Sequence, residues 1–300
     1  MKTLKLKEWQ FVLMMSVCVL VWALAFPFIK IGLEEFSFVN LTIMRFFIVC
    51  IVFSLLILIF PKKFSKLNKK DIIQIFLLGF FGVIVYHLCL NYGEQLVSPG
   101  AASLIIATIP IYIIIFAKIF LKEKIGVIKL VGVIIALFGV LIISIWGKEE
   151  TIIEIQFIFA AFAIFIAAIM GAIYTIAGKK FLDKYSPLSL TAYAMIFGSI
   201  GLIPLISKSL FIEVTNLSFN GWFAIIFLGS FSTVIGYAIW YIALQMKNAS
   251  EISVYLYVIP IVATIVSYFW FKENITILFI LGALLVILGL VLVNKRSTKN

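Results

Sequence analysis

Ten long apolar runs separated by short polar gaps constrain this chain more than any other feature. They fall at about 10–31, 38–60, 72–93, 97–121, 126–146, 155–177, 187–207, 220–244, 250–271 and 276–294. Each is close to the ~20 residues that an α-helix needs to cross the hydrocarbon core of a bilayer. Membrane β-strands would be about ten residues long with alternating polarity, and these runs are continuous and twice that length. The runs therefore predict an all-α integral membrane protein with ten transmembrane helices. Composition agrees, since 64% of the 300 residues are apolar and 12% are charged, against about 45–50% and 25% in a soluble domain. So few polar residues cannot cover a soluble core. A water-soluble enzyme, a nucleic-acid-binding domain and a disordered chain are excluded.

The net charge of +11 comes from 24 Lys and Arg against 13 Asp and Glu, and it is unevenly placed. With the N-terminus on the cytoplasmic side, the inner segments hold Lys2, Lys5, Lys7, the cluster from Lys62 to Lys70, Lys122, Lys124, Lys129, Lys179, Lys180, Lys184, Lys247, Lys295, Arg296 and Lys299. The outer segments hold only Lys30, Lys148, Lys208 and Lys272, while Arg45 and Lys118 lie within runs. Short cytoplasmic loops concentrate Lys and Arg, so both termini are expected in the cytoplasm and the protein in the cell membrane. Acids lean outward (Glu34, Glu35, Glu149, Glu150, Glu154). Lys2, Lys5 and Lys7 before an apolar run resemble a signal peptide, but the run continues without a small-residue cleavage site, so a retained first span is expected. Cys18, Cys50 and Cys89 lie far apart inside runs and read as small hydrophobes.

A shift of 150 residues aligns the two halves without a gap. Gly79 falls on Gly229, Ser103 on Ser253, Ile109-Pro110-Ile111 on Ile259-Pro260-Ile261, Lys122-Glu123 on Lys272-Glu273, Gly132 on Gly282 and Gly139 on Gly289. Residues 1–149 and 150–300 thus form two five-helix repeats. Five is odd, so the second repeat enters from the opposite face and the pair is inverted, as in secondary transporters.

Several stretches resemble the drug/metabolite transporter superfamily, EamA type. They are Trp22 to Gly32 (WALAFPFIKIG), Leu41 to Phe46 (LTIMRF), Pro99 to Ile125, Gly132 to Ile142, Gly229 to Leu244, Ser253 to Glu273 and Gly282 to Leu290. Their order covers nearly the whole chain. The resemblance implies ten spans, cytoplasmic termini, a central cavity lined largely by spans 3, 4, 8 and 9, and movement of small metabolites. It also implies an Arg at the place of Arg45.

Individual residues carry the functional expectations. Arg45 lies about seven residues into span 2, where a charge costs about 2.5–3.5 kcal/mol on insertion scales; a structural tie, a gating role and ligand contact are all open to it. His87, the sole histidine, shares a helix face with Asn91 and Glu94. It could line a cavity and relay protons, or bond to a neighbouring helix; a metal site is not expected. Tyr237 is the repeat mate of His87, and Trp240 and Tyr241 follow it. Ser253, Tyr257 and Pro260 share a face of span 9, mirrored by Ser103 and Pro110 in span 4. A mid-span proline frees a carbonyl, which lipid does not tolerate, so both prolines are expected to face the interior. Glu251 suits the start of a helix, where an acid meets the dipole, or a cavity mouth. No run holds an acid at its centre, so tight proton coupling is not expected. Gly82, Gly93, Gly171, Gly198, Gly201 and Gly236 are expected at close helix crossings.

The chain has no G-x-x-x-x-G-K-[ST] loop, and no cofactor is expected. The expected function is secondary transport of small solutes by alternating access, with export as the direction. The solutes would be amino acids, related amphipathic or aromatic metabolites, or drugs. A flippase for a lipid-linked headgroup and an integral membrane enzyme are the alternatives. The partners are a small-molecule substrate and the bilayer, with no nucleic acid, and monomer and homodimer remain open.

Overall fold

A computed structural model describes residues 6–97, 99–146, 155–271 and 277–294, and among them every regular element is helical. Lys2, Lys5, Lys148, Lys272, Lys295, Arg296, Lys299, Glu149, Glu150, Glu154 and Glu273 lie outside the described residues. In chain order the helices are α1 (Glu8–Leu33), α2 (Phe38–Ile59), α3 (Lys69–Leu96), α4 (Pro99–Ile106), α5 (Ile109–Phe120), α6 (Val127–Trp146), α7 (Ile155–Phe181), α8 (Pro187–Ile200), α9 (Lys208–Thr215), α10 (Phe219–Met246), α11 (Ala249–Trp270) and α12 (Ile277–Asn294). Among the described residues, seven segments are long and apolar enough to cross a membrane: α1, α2, α3, α10, α11, most of α7, and α8 extended to Leu205. Ile109–Phe120, Val127–Gly139 and Ile280–Val293 are shorter apolar helices.

Two departures from the apolar runs have local causes. The run at 97–121 is split, because Pro110 has no N–H to offer the carbonyl four residues back. The chain turns at Ala107–Thr108, and Thr108 Oγ1 donates to the Ile105 carbonyl at 2.7 Å. Its repeat mate in α11 yields in the same place, with a tighter 3-10 stretch at Ser253–Val258 ahead of Pro260. Helix α9 was not expected from the hydropathy. It carries Glu213, which accepts from Asn40 Nδ2 at 2.8 Å and from the Ser37 amide at 3.2 Å, tying the start of α2 to the second half.

Packing is reciprocal at an offset of 150. A Cβ at Gly132 would lie 2.8 Å from the Gly289 carbonyl oxygen, and one at Gly139 would lie 2.5 Å from that of Gly282. In the alignment Gly132 is the mate of Gly282 and Gly139 that of Gly289, so α6 and α12 swap partners. Likewise Gly79 of α3 abuts Gly198 of α8, while its mate Gly229 of α10 abuts Ile48 of α2, the mate of Gly198. The third helix of each half thus packs on the second helix of the other. Gly82 under Tyr174, Gly93 against Ile164, Gly171 against Tyr86, Gly201 against Ile84 and Gly236 under Trp22 are further close approaches.

The loops repeat the pattern. The Asn68 amide donates to Tyr185 Oη at 3.0 Å, and the Ser218 amide donates to Glu35 Oε2 at 2.7 Å. Each partner of the first pair has its mate in the second. The Ser218 hydroxyl and amide together hold the Glu35 carboxyl below the usual carboxylate range. The stabilisation from this clasp is present above the ordinary carboxylate pKa and is lost as pH falls through the lowered value.

Gly132→Leu or Gly139→Leu is expected to force α6 and α12 apart at a cost of about 1–3 kcal/mol, read as a lower melting temperature in detergent; an unchanged value would show that the crossing is not tight. Ser218→Ala should move the acid-side loosening of the 34–37 loop to higher pH in hydrogen-exchange measurements, and an unmoved profile would count against the clasp.

Candidate functional site

The site begins with two helices that leave the α register. α3 runs as a π-helix over Phe80–Val85, and α10 does so over Phe227–Ile235. These segments overlap at the offset of 150. A π turn widens the helix and loosens its carbonyl ladder, and such turns recur at functional sites. Here the loosened groups are taken up by neighbours. Trp22 Nε1 of α1 donates to the Ser232 carbonyl at 3.0 Å, Cys18 Sγ to the Gly236 carbonyl at 3.4 Å, and Thr233 Oγ1 to the Leu228 carbonyl, five residues back, at 2.8 Å.

The π segment of α10 presents two hydroxyls to Arg45 of α2. Arg45 Nε donates to Thr233 Oγ1 at 2.8 Å and Nη2 to Ser232 Oγ at 3.1 Å. The guanidinium is 2% exposed and its Nη1 has no partner. Arg45 thus both ties the halves together and points one free donor group inward.

Arg45 lines a central cavity of about 60 Å³. Its walls are Trp22 and Phe26 of α1, Arg45 of α2, Tyr86 and His87 of α3, Tyr174 and Thr175 of α7, and Tyr237 and Trp240 of α10. Ile106 and Ile109 close it from one broken helix, and their mates Leu256 and Ile259 from the other. The rings pack edge-on or tilted. Trp22 lies 5.3 Å from both Tyr237 and Trp240, and Tyr174 lies 5.5 Å from Tyr237. Trp240 Nε1 donates to Thr175 Oγ1 at 3.1 Å. His87 Nε2 and Tyr237 Oη are 3.4 Å apart. These residues are 150 positions apart, and a residue close to a two-fold axis meets its own mate.

An apolar cavity with a few convergent polar groups is the usual form of a small-molecule site. Arg45 Nη1, His87 Nδ1 and Tyr174 Oη supply those groups, all buried and without partners. The Arg45 group can bind a carboxylate, the rings an apolar or aromatic body. Solute pockets measure about 300–1,000 Å³, so the space in this conformation is smaller than a typical solute pocket. Contacts cross between helices on the side nearest the N-terminus. Tyr241 stacks on Tyr174 at 5.1 Å. Below it, Lys179 Nζ donates to the Leu244 and Lys247 carbonyls at 2.9 and 2.7 Å, and Lys129 pairs with Glu251 at 2.6 Å.

Of the residues singled out from sequence, Arg45, His87, Tyr237 and Trp240 line this cavity together. The others stand elsewhere. Asn91 Nδ2 donates to Thr42 Oγ1 at 2.8 Å, joining α3 to α2. Ser103 and Ser253 donate to carbonyls three residues back in their own helices, Gly100 and Ser250. Tyr241 lies behind Tyr174 with its Oη on the Tyr174 carbonyl at 3.2 Å. Tyr257 is buried with Ala107, Ile114 and Val286. Pro110 and Pro260 are buried, yet it is the residues four before them, Ile106 and Leu256, that reach the cavity. Glu251 stands in the first turn of α11, paired with Lys129. Helices α1 and α7 join the expected walls. Trp22, Tyr86, Tyr174 and Ser232 were not anticipated, although Trp22 opens a stretch carrying the resemblance.

This geometry is that of a multi-pass helical membrane protein with a cavity walled by both halves of the chain. The chain belongs to the EamA-like transporter family, whose model matches residues 9–145 and again 158–295. An uncharacterized transporter of Archaeoglobus fulgidus is 36% identical over 97% of this chain and 100% of its own length. The uncharacterized transporter YdfC of Bacillus subtilis is 32% identical over 94% of this chain and 90% of its own. A probable terminal-alkyne amino-acid exporter of Streptantibioticus cattleyicolor is 28% identical over 93% and 91%. A solved crystal structure shares the fold with a TM-score of 0.73 at 15% identity, covering 96% of this chain and 97% of that one. The family and the relatives' names point to transporters rather than enzymes.

Arg45→Lys is expected to lower the melting temperature, because a single ammonium cannot reproduce the fork to Thr233 and Ser232; one charge-assisted hydrogen bond is worth about 1.5–3 kcal/mol. A Lys variant as stable as the parent would remove Arg45 from the tie between the halves.

Proposed function

We propose that the chain is a secondary transporter that exports small amphipathic or aromatic solutes across the cell membrane by alternating access. It works as ten spans in two inverted five-helix repeats, 1–149 and 150–300, with both termini in the cytoplasm. The contact between His87 and Tyr237 carries this reading. A binding cavity on the line relating two interlocked halves is reached from either face as those halves tilt. Swapped contacts at the α6–α12 and α3–α8 crossings support the inverted repeat, since exchanging the roles of the two halves gives a second packing with equivalent pairs. The excess of Lys and Arg on the N-terminal side supports the orientation. Amino acids are the first solutes to test. The free Arg45 Nη1 suits a carboxylate, the aromatic walls suit an apolar side chain, and one relative is named as an amino-acid exporter.

The test is flux of labelled amino acids, nucleosides and cationic drugs through the purified protein in liposomes. At least one is expected to move faster than through empty vesicles, and Trp240→Ala and His87→Ala should cut that flux at least tenfold, equivalent to about 1.4 kcal/mol. Conversion of a solute without its movement, or no movement of any class, would overturn the reading.

A further inference from the structure

The last turn of α3 holds a carboxyl that the cavity does not use. Glu94 is fully buried, and neither of its oxygens has a partner. Asn91 stands three residues earlier on the same helix face. Thr42 Oγ1 gives its own proton to the Phe38 carbonyl at 2.7 Å, so it can only accept from Asn91. The Asn91 NH₂ group must therefore face Thr42, which fixes its Oδ1 as an acceptor, and that atom is also buried without a partner. Three acceptor atoms on one helix face thus have no donor.

Among the described residues, the neighbouring elements supply none. Gly93 packs on Ile164 and Ala160 of α7, and α4 carries no titratable side chain. The charged and titratable groups whose fields reach Glu94 are Arg45 of α2, Lys30 in the last turn of α1 and Tyr86 of α3. Arg45 is held away from it by Thr233 and Ser232. A bare carboxylate buried among apolar groups is strongly disfavoured, whereas one added proton turns one of the three acceptors into a donor for its neighbour.

We propose that Glu94 is a proton site, carrying one proton in this conformation with its O–H directed at Asn91 Oδ1, and that the transport cycle uses it. Release follows when α10 shifts and frees Arg45. The guanidinium then pairs with Glu94, and the proton passes from the carboxyl oxygen to water on the open side, with no other bond made or broken. The site lies one turn beyond the cavity wall at Leu90, so a solute carboxylate that engages Arg45 competes with the Arg45–Glu94 pair and links solute to proton. This step rests on the transporter reading; the proton site itself does not.

Infrared spectroscopy of the purified full chain near neutral pH tests it. The parent should show a protonated-carboxyl C=O band that shifts in D₂O, disappears in Glu94→Gln and moves in Glu94→Asp. No such band in the parent, or one unchanged in Glu94→Gln, overturns the proposal. Should Glu94→Gln fail to fold, a band at the same position in the parent and in Glu94→Asp overturns it equally. A protein with the band that moves no solute keeps the proton site and loses the transport reading; one that moves solute without the band does the reverse.

Discussion

A guanidinium keeps its charge at any accessible pH, so in a bundle surrounded by lipid it must find acceptors. Arg45 finds them on the other half of the molecule, and much of the centre is arranged around that need. To turn Ser232 and Thr233 toward it, α10 opens into a π-helix. The opened ladder then needs donors, and Trp22 and Cys18 of α1 provide them. One buried charge thereby joins α1, α2 and α10. The same contacts set Trp22 against Tyr237 and Trp240, which forms the wall of the cavity. Cavity wall and structural tie are the same set of side chains.

The second constraint is that the halves are interlocked. Each contributes the second helix on which the other's third helix packs, and each clasps a loop of the other. Glycine at these crossings lets backbone meet backbone, so little side-chain bulk must rearrange if the helices tilt. The Lys129–Glu251 pair and the Lys179 contacts on the N-terminal side are polar links of a few bonds each. Links of that kind can be exchanged for others, whereas a deep apolar core cannot.

Legibility in the sequence followed the range of the physics. The runs marked nearly every long helix, because membrane thickness acts on each segment by itself. Pro110 and Pro260 marked their breaks, because the missing N–H is a local fact. The offset of 150 makes Tyr237 the mate of His87 from spacing alone. The π segments at Phe80–Val85 and Phe227–Ile235 were not legible, since no residue type demands them. They follow from what Arg45, Trp22 and Cys18 offer from other helices. Glu94 was visible near the end of its run, but only the packing of α2 and α7 around it removes both water and donors.

The sequence by itself therefore determined the helical membrane class and the twofold internal repeat, both set by segment hydropathy and spacing. Tertiary structure alone decided which polar residues share the cavity, which serve as ties, and that a carboxyl lies buried without a donor. Burial and hydrogen-bond satisfaction are properties of neighbours brought together across the fold, and a single segment carries no record of them.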